Sequence, residues 1–80
     1  MELKIGHTYR AKKPRKVGNT IGGYFNDREI VGLTDTEVQY DTPSMIGNRD
    51  YPRTSRENFI KWAARDVTSE LPDGQWARWD

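Results

Sequence analysis

The chain has 80 residues, enough for one domain spanning 1–80 whose folding hides only about 60% of the unfolded surface. Hydrophobic residues make up 34% and charged residues 31%, and three Trp, four Tyr and two Phe are too many aromatics for a disordered chain. The net charge of +1 selects no partner, while the lack of cysteine excludes disulfides, thiolate zinc sites and cysteine nucleophiles.

The first expected element is a strand over His7–Lys12, where Tyr9 and Ala11 alternate with Thr8, Arg10 and Lys12. Pro14, Gly18, Asn19, Gly22 and Gly23 then make residues 13–26 read as a long loop, a length often tied to function or mobility in a compact domain. Gly22-Gly23 reads as a turn, because the Gly-x-x-x-x-Gly-Lys-Ser/Thr pattern of a phosphate loop is missing. Asn26-Asp27 turns the chain into the best strand, with Arg28 expected to pair with a nearby carboxylate. A recognition pair of Asp27 and Arg28 at the sheet rim is the alternative.

Glu29–Leu33 and Thr36–Asp41, separated by the polar Thr34-Asp35, read as a β-hairpin with Val38 and Tyr40 on one face. Further loops are expected at 41–44 and 47–48, and a short edge strand at Tyr51-Pro52, since Pro cannot donate inside a ladder. The pattern then becomes helical. Thr54-Ser-Arg-Glu57 matches a capping box, and an amphipathic helix over 55–66 would lay Phe59 and Trp62 against the sheet. Leu71-Pro72-Asp73-Gly74 suits a type I turn. In the tail, Trp76 is expected to clamp the chain end onto the domain, and Trp79 is either packed or part of an exposed sticky patch.

Strands first and one late helix give an α+β or mostly β fold: a small antiparallel curled sheet or an SH3-like barrel, closure being one way to hide strand edges. A flat α+β sandwich is the alternative. The absence of a long apolar run, and of a signal peptide's apolar stretch in Met1–Gly6, points to the cytoplasm and away from membranes.

Charge is unevenly distributed. Residues 1–28 hold seven basic and two acidic side chains, and residues 29–80 hold six basic and ten acidic. The run Arg10-Ala-Lys12-Lys13-Pro-Arg15-Lys16 carries five cations and no acid. Such a run suits contacts to phosphates, each of which releases counterions when neutralised; its ordinary alternative is a solvated loop that blunts a strand edge. Tyr24 and Phe25 flank the loop and would suit stacking on unpaired bases, or would anchor the returning chain. His7, the single histidine, has no serine, cysteine or paired carboxylate at a recognisable spacing and reads as polar surface rather than a general base. No metal-ligand series is present, and no catalytic constellation, metal or cofactor is expected.

The stretches Asn26-Asp-Arg-Glu-Ile30, Val38-Gln-Tyr-Asp41, Tyr51-Pro52 and Phe59-Ile-Lys-Trp-Ala63-Ala-Arg-Asp-Val-Thr68 resemble small uncharacterised proteins carried by phages and prophages, with an SH3-like look. The resemblance covers about residues 5–70. It implies a bacterial or phage origin and a binding rather than a catalytic role, and carries over no functional residue. The expected function is therefore a non-enzymatic binding module that presents Arg10, Lys12, Lys13, Arg15 and Lys16, with Tyr24 and Phe25, to nucleic acid or to an acidic protein surface. The alternative is a phage-type protein–protein inhibitor of a host factor, using the same patch or the Trp76/Trp79 tail.

Overall fold

The computed structural model describes residues 1–18, 22–44, 50–71 and 75–79. The loop at 47–48 and most of the turn at 71–74 expected from the sequence lie outside these residues. The strands are β1 Thr8–Ala11, β2 Lys16–Val17, β3 Tyr24–Phe25, β4 Arg28–Leu33, β5 Glu37–Asp41, β6 Arg53–Ser55 and β7 Ala63–Asp66, with the helix α1 Arg56–Trp62 between β6 and β7. A 3-10 turn at Thr68–Glu70 follows β7.

Five strands form one sheet in the order β6-β5-β4-β1-β7, and each neighbouring pair is antiparallel. The sheet is not closed into a barrel: β6 and β7 are its edges. α1 carries the chain from one edge to the other and packs on β5, β6 and β7. Beneath it the core gathers Leu3, Tyr9, Ile30, Val38, Phe59 and Ala63, with Leu33, Tyr40 and Trp62 partly buried around them. Phe59 is the hub, edge-on to Tyr9 at 5.6 Å and tilted against Trp62 at 5.3 Å and Tyr40 at 6.2 Å. Such ring pairs contribute roughly 0.5–1.5 kcal/mol each beyond the area they bury. The Tyr9 hydroxyl is also satisfied, accepting from the Lys4 amide and donating to the Glu2 carbonyl, which ties the N-terminal segment over the core.

The β4–β5 hairpin forms as its alternation requires, with a bulge between Ile30 and Gly32. Four expectations are corrected. The helix spans Arg56–Trp62 rather than 55–66, because Ala63 turns extended and residues 63–66 become β7, pairing with β1. The Lys12 amide takes the Trp62 carbonyl at 2.9 Å, so a strand partner replaces the next helical turn; tertiary pairing overrides the helix propensity of Ala63-Ala64-Arg65. The N-cap is Ser55, accepting from the Asn58 amide, because Thr54 is held in β6 opposite Val38. Glu57 pairs along the helix with Lys61 at 3.3 Å instead of reaching back. The edge strand likewise begins after Pro52, at Arg53.

The fourth correction lies in the expected 13–26 loop, which contains the two-stranded ladder β2–β3, with Lys16 opposite Phe25 and Val17 opposite Tyr24. Gly23 makes the hairpin possible. Its φ is +51°, and a Cβ there would stand 2.7 Å from the Lys16 Cε and 2.9 Å from the Val17 carbonyl oxygen, so only glycine fits. The tail packs on this hairpin: the Phe25 amide donates to the Ala77 carbonyl, Tyr24 bridges Arg78, and the Trp79 ring lies 4.9 Å from Phe25. Trp79 is thus packed yet still 37% exposed, and Trp76 is half-buried. No helix among the described residues is long and apolar enough to cross a membrane.

Candidate functional site

The basic run divides at Ala11. Arg10 sits on β1, and its Nε and Nη2 donate to the two carboxylate oxygens of Asp27, both at 3.0 Å. Asp27 is fully buried, and the Arg10 guanidinium also lies 3.8 Å over the Phe25 ring. A guanidinium committed to a buried carboxylate in this forked geometry holds the fold together. It is not a free phosphate contact, and Arg10 leaves the expected binding set.

Lys12, Lys13, Arg15 and Lys16 are all exposed, and none of their side chains has a carboxylate or ring partner among the described residues. Most other described surface cations differ, Arg53 on the edge strand β6 being an exposed exception. Lys4, Lys61 and Arg65 are paired with Glu2, Glu57 and Glu70, and Arg56 donates to the Thr34 carbonyl. The basic loop is also pinned at both ends. The Lys12 amide holds the Trp62 carbonyl, and the backbone of Arg15 and Asn26 is cross-linked, the Arg15 amide donating to the Asn26 side chain and the Asn26 amide to the Arg15 carbonyl. Four like charges are therefore presented on a tethered segment with no ion pair to an acid among the described residues.

The two aromatics expected to stack on bases are already engaged. Phe25 is covered by Arg10 and Trp79, and Tyr24 is half-buried with the Arg78 guanidinium 5.7 Å from its ring. Packing of the tail on the hairpin accounts for the placement of both rings.

Arg28 follows neither reading made from the sequence. Asp27 immediately precedes β4 and faces Arg10, while Arg28, the first residue of the strand, turns to the helix side. There its guanidinium lies 4.4 Å from the Tyr40 ring and 4.1 Å from the Trp62 ring. Burial pulls its pKa below the ordinary arginine value, and the neighbouring Tyr40 opposes this. Sequence reasoning missed the sandwich, because its two walls come from β5 and from the end of α1.

His7 has a carboxylate after all. Its Nδ1 sits 2.6 Å from Asp66 Oδ2, and Asp66 Oδ1 accepts from the Thr68 hydroxyl at 2.5 Å and the Thr68 amide at 2.9 Å. Burial acts to raise the Asp66 pKa, but the bonds from Thr68 and His7 outweigh it and hold the carboxyl below its usual range. The Thr68 hydroxyl lies on the carboxylate and not on the imidazole. The network fastens β7 to β1, together with the Thr8 amide bonded to the Thr68 hydroxyl.

Comparison with protein families, characterised proteins and solved structures yields no match.

Proposed function

We propose that the chain is a non-enzymatic nucleic-acid-binding module of phage or prophage type, acting through Lys12, Lys13, Arg15 and Lys16. One observation carries the reading: these four exposed cations share one tethered loop and lack acidic partners among the described residues. Unpaired cations on a polyanion-facing loop gain counterion release on binding, whereas paired ones must first break a bridge. An SH3-like relationship is part of the proposal. It is supported by five antiparallel strands in the order β6-β5-β4-β1-β7, with the helix inserted before the last.

The test is a titration with single- and double-stranded oligonucleotides at several salt concentrations. Four phosphate contacts predict a log–log salt slope of about −3.6 on duplex DNA and about −2.8 on single strands. Each neutralised residue lowers the slope by roughly one unit and weakens all sequences alike. No binding at about 50 mM salt, where screening is weak, refutes the reading. The second reading, an inhibitor that docks this loop on an acidic protein, is favoured by the exposed edge of Trp79 beside the hairpin. It predicts a host protein captured from lysate with equal yield after nuclease treatment.

A further inference from the structure

Asp27 and Arg28 are neighbours of opposite charge, yet they do not pair. The carboxylate is taken by Arg10, and the half-buried Arg28 guanidinium rests between Tyr40 and Trp62 with no carboxylate or hydrogen-bond acceptor among the described residues. Buried cations are ordinarily paired. The ring contacts satisfy none of the guanidinium's five N–H donors, which still need acceptors. No described acid supplies one. Glu29 and Asp41 follow Arg28 and Tyr40 directly, so strand alternation turns both to the other face of the sheet. Glu57 on α1 is paired with Lys61.

The position is also linked to the basic loop through two residues. The Trp62 carbonyl that accepts from Lys12 belongs to the residue whose ring covers Arg28, and Asn26, tied to Arg15, lies two residues before Arg28. We infer that Arg28, held against the Tyr40 and Trp62 rings, binds a phosphate group in a bidentate manner. For the source of that phosphate the inference rests on the nucleic-acid reading: a backbone phosphodiester whose neighbours are held by Lys12 and Arg15. The forked donors match two oxygens of one phosphate, and the aromatic walls fix the plane of the fork before the ligand arrives. Burial, which disfavours the free cation, makes an arriving anion more valuable at this position than at an exposed lysine.

The experiment is nuclear magnetic resonance on the isotope-labelled full chain, following the Arg28 Nε–Hε and Trp62 indole N–H signals. Inorganic phosphate is titrated against sodium chloride and sodium acetate at equal ionic strength, followed by a single-stranded oligonucleotide. Phosphate is expected to move both signals with saturation, and chloride and acetate to leave them in place. In Arg28→Lys, which keeps the charge and loses the fork, oligonucleotide affinity is expected to fall about tenfold while the salt slope stays unchanged. A purely electrostatic role would not separate these two readouts. Unmoved signals in phosphate while the oligonucleotide still binds overturn the Arg28 site and leave the loop reading standing; so does an equal response to acetate. Saturable phosphate binding without oligonucleotide binding keeps the site, identifies free phosphate as its source and removes the nucleic-acid reading. Because the wild-type titration needs no variant, the result stands even where Arg28→Lys folds poorly.

Discussion

Replacing Asp27 by Ala leaves the Arg10 guanidinium without its counter-charge in a place water barely reaches. The Asp27 side chain is 1% exposed and that of Arg10 15%, and both bonds of the fork are 3.0 Å long. Removing one partner of a buried ion pair costs about 3–5 kcal/mol, most of it the desolvation of the orphaned charge. At about 0.05–0.15 kcal/mol per residue, a chain of 80 residues has a total stability of roughly 4–12 kcal/mol. Asp27→Ala is therefore expected to consume a quarter or more of that margin. The bond from the Thr42 hydroxyl ends on the Asp27 main-chain carbonyl and survives, so the loss belongs to the carboxylate. Urea unfolding followed by tryptophan fluorescence measures it, read with Arg10→Met and the double variant Arg10→Met/Asp27→Leu. The double variant should be markedly more stable than Asp27→Ala, because it removes both charges together. An Asp27→Ala midpoint equal to wild type, or a double variant no better than the single, refutes the argument. Arg10 would then return to the set of candidate phosphate contacts.

Two further predictions concern pH. Burial raises the pKa of Glu29, and Asp41 opposite it on β5 adds to the effect. The folded state thus binds this proton more tightly than the unfolded chain, and stability falls as pH rises from the ordinary Glu value through the folded one. Glu29→Gln should accordingly stabilise the domain by about 0.2–1 kcal/mol at pH 7 and make little difference at pH 3, as thermal melts will show; a less stable variant at pH 7 contradicts this. The depressed Asp66 carboxyl has the opposite sign: its contribution is full above the unfolded value of about 3.9 and is lost as pH falls through the folded one. Wild type should exceed Asp66→Asn in melting temperature at pH 5, with the gap closing below about pH 3. A gap that persists undiminished at pH 2 argues against the His7–Asp66–Thr68 network.

Local pattern alone determined the elements whose signal is short-range. The β4–β5 hairpin follows from strict alternation around Thr34-Asp35, and the helix start from a run of capping residues before Phe59. The burial of Tyr9, Ile30, Val38 and Phe59 follows from their place on apolar faces, and the exposed cations of the 12–16 loop from a run with no apolar position to anchor it. Tertiary structure decided what depends on partners distant in sequence. Residues 63–66 carry a helical pattern, yet become a strand because β1 offers an unpaired ladder and the Lys12 amide caps the Trp62 carbonyl. Arg10 and Arg28 look alike as surface cations, but strand alternation and the Asp27 carboxylate, 17 residues from Arg10, assign one to a buried ion pair and the other to an aromatic sandwich. His7 meets Asp66 across 59 residues, a separation no periodicity can signal. A charge's neighbours set its role, and in a sheet those neighbours come from other strands.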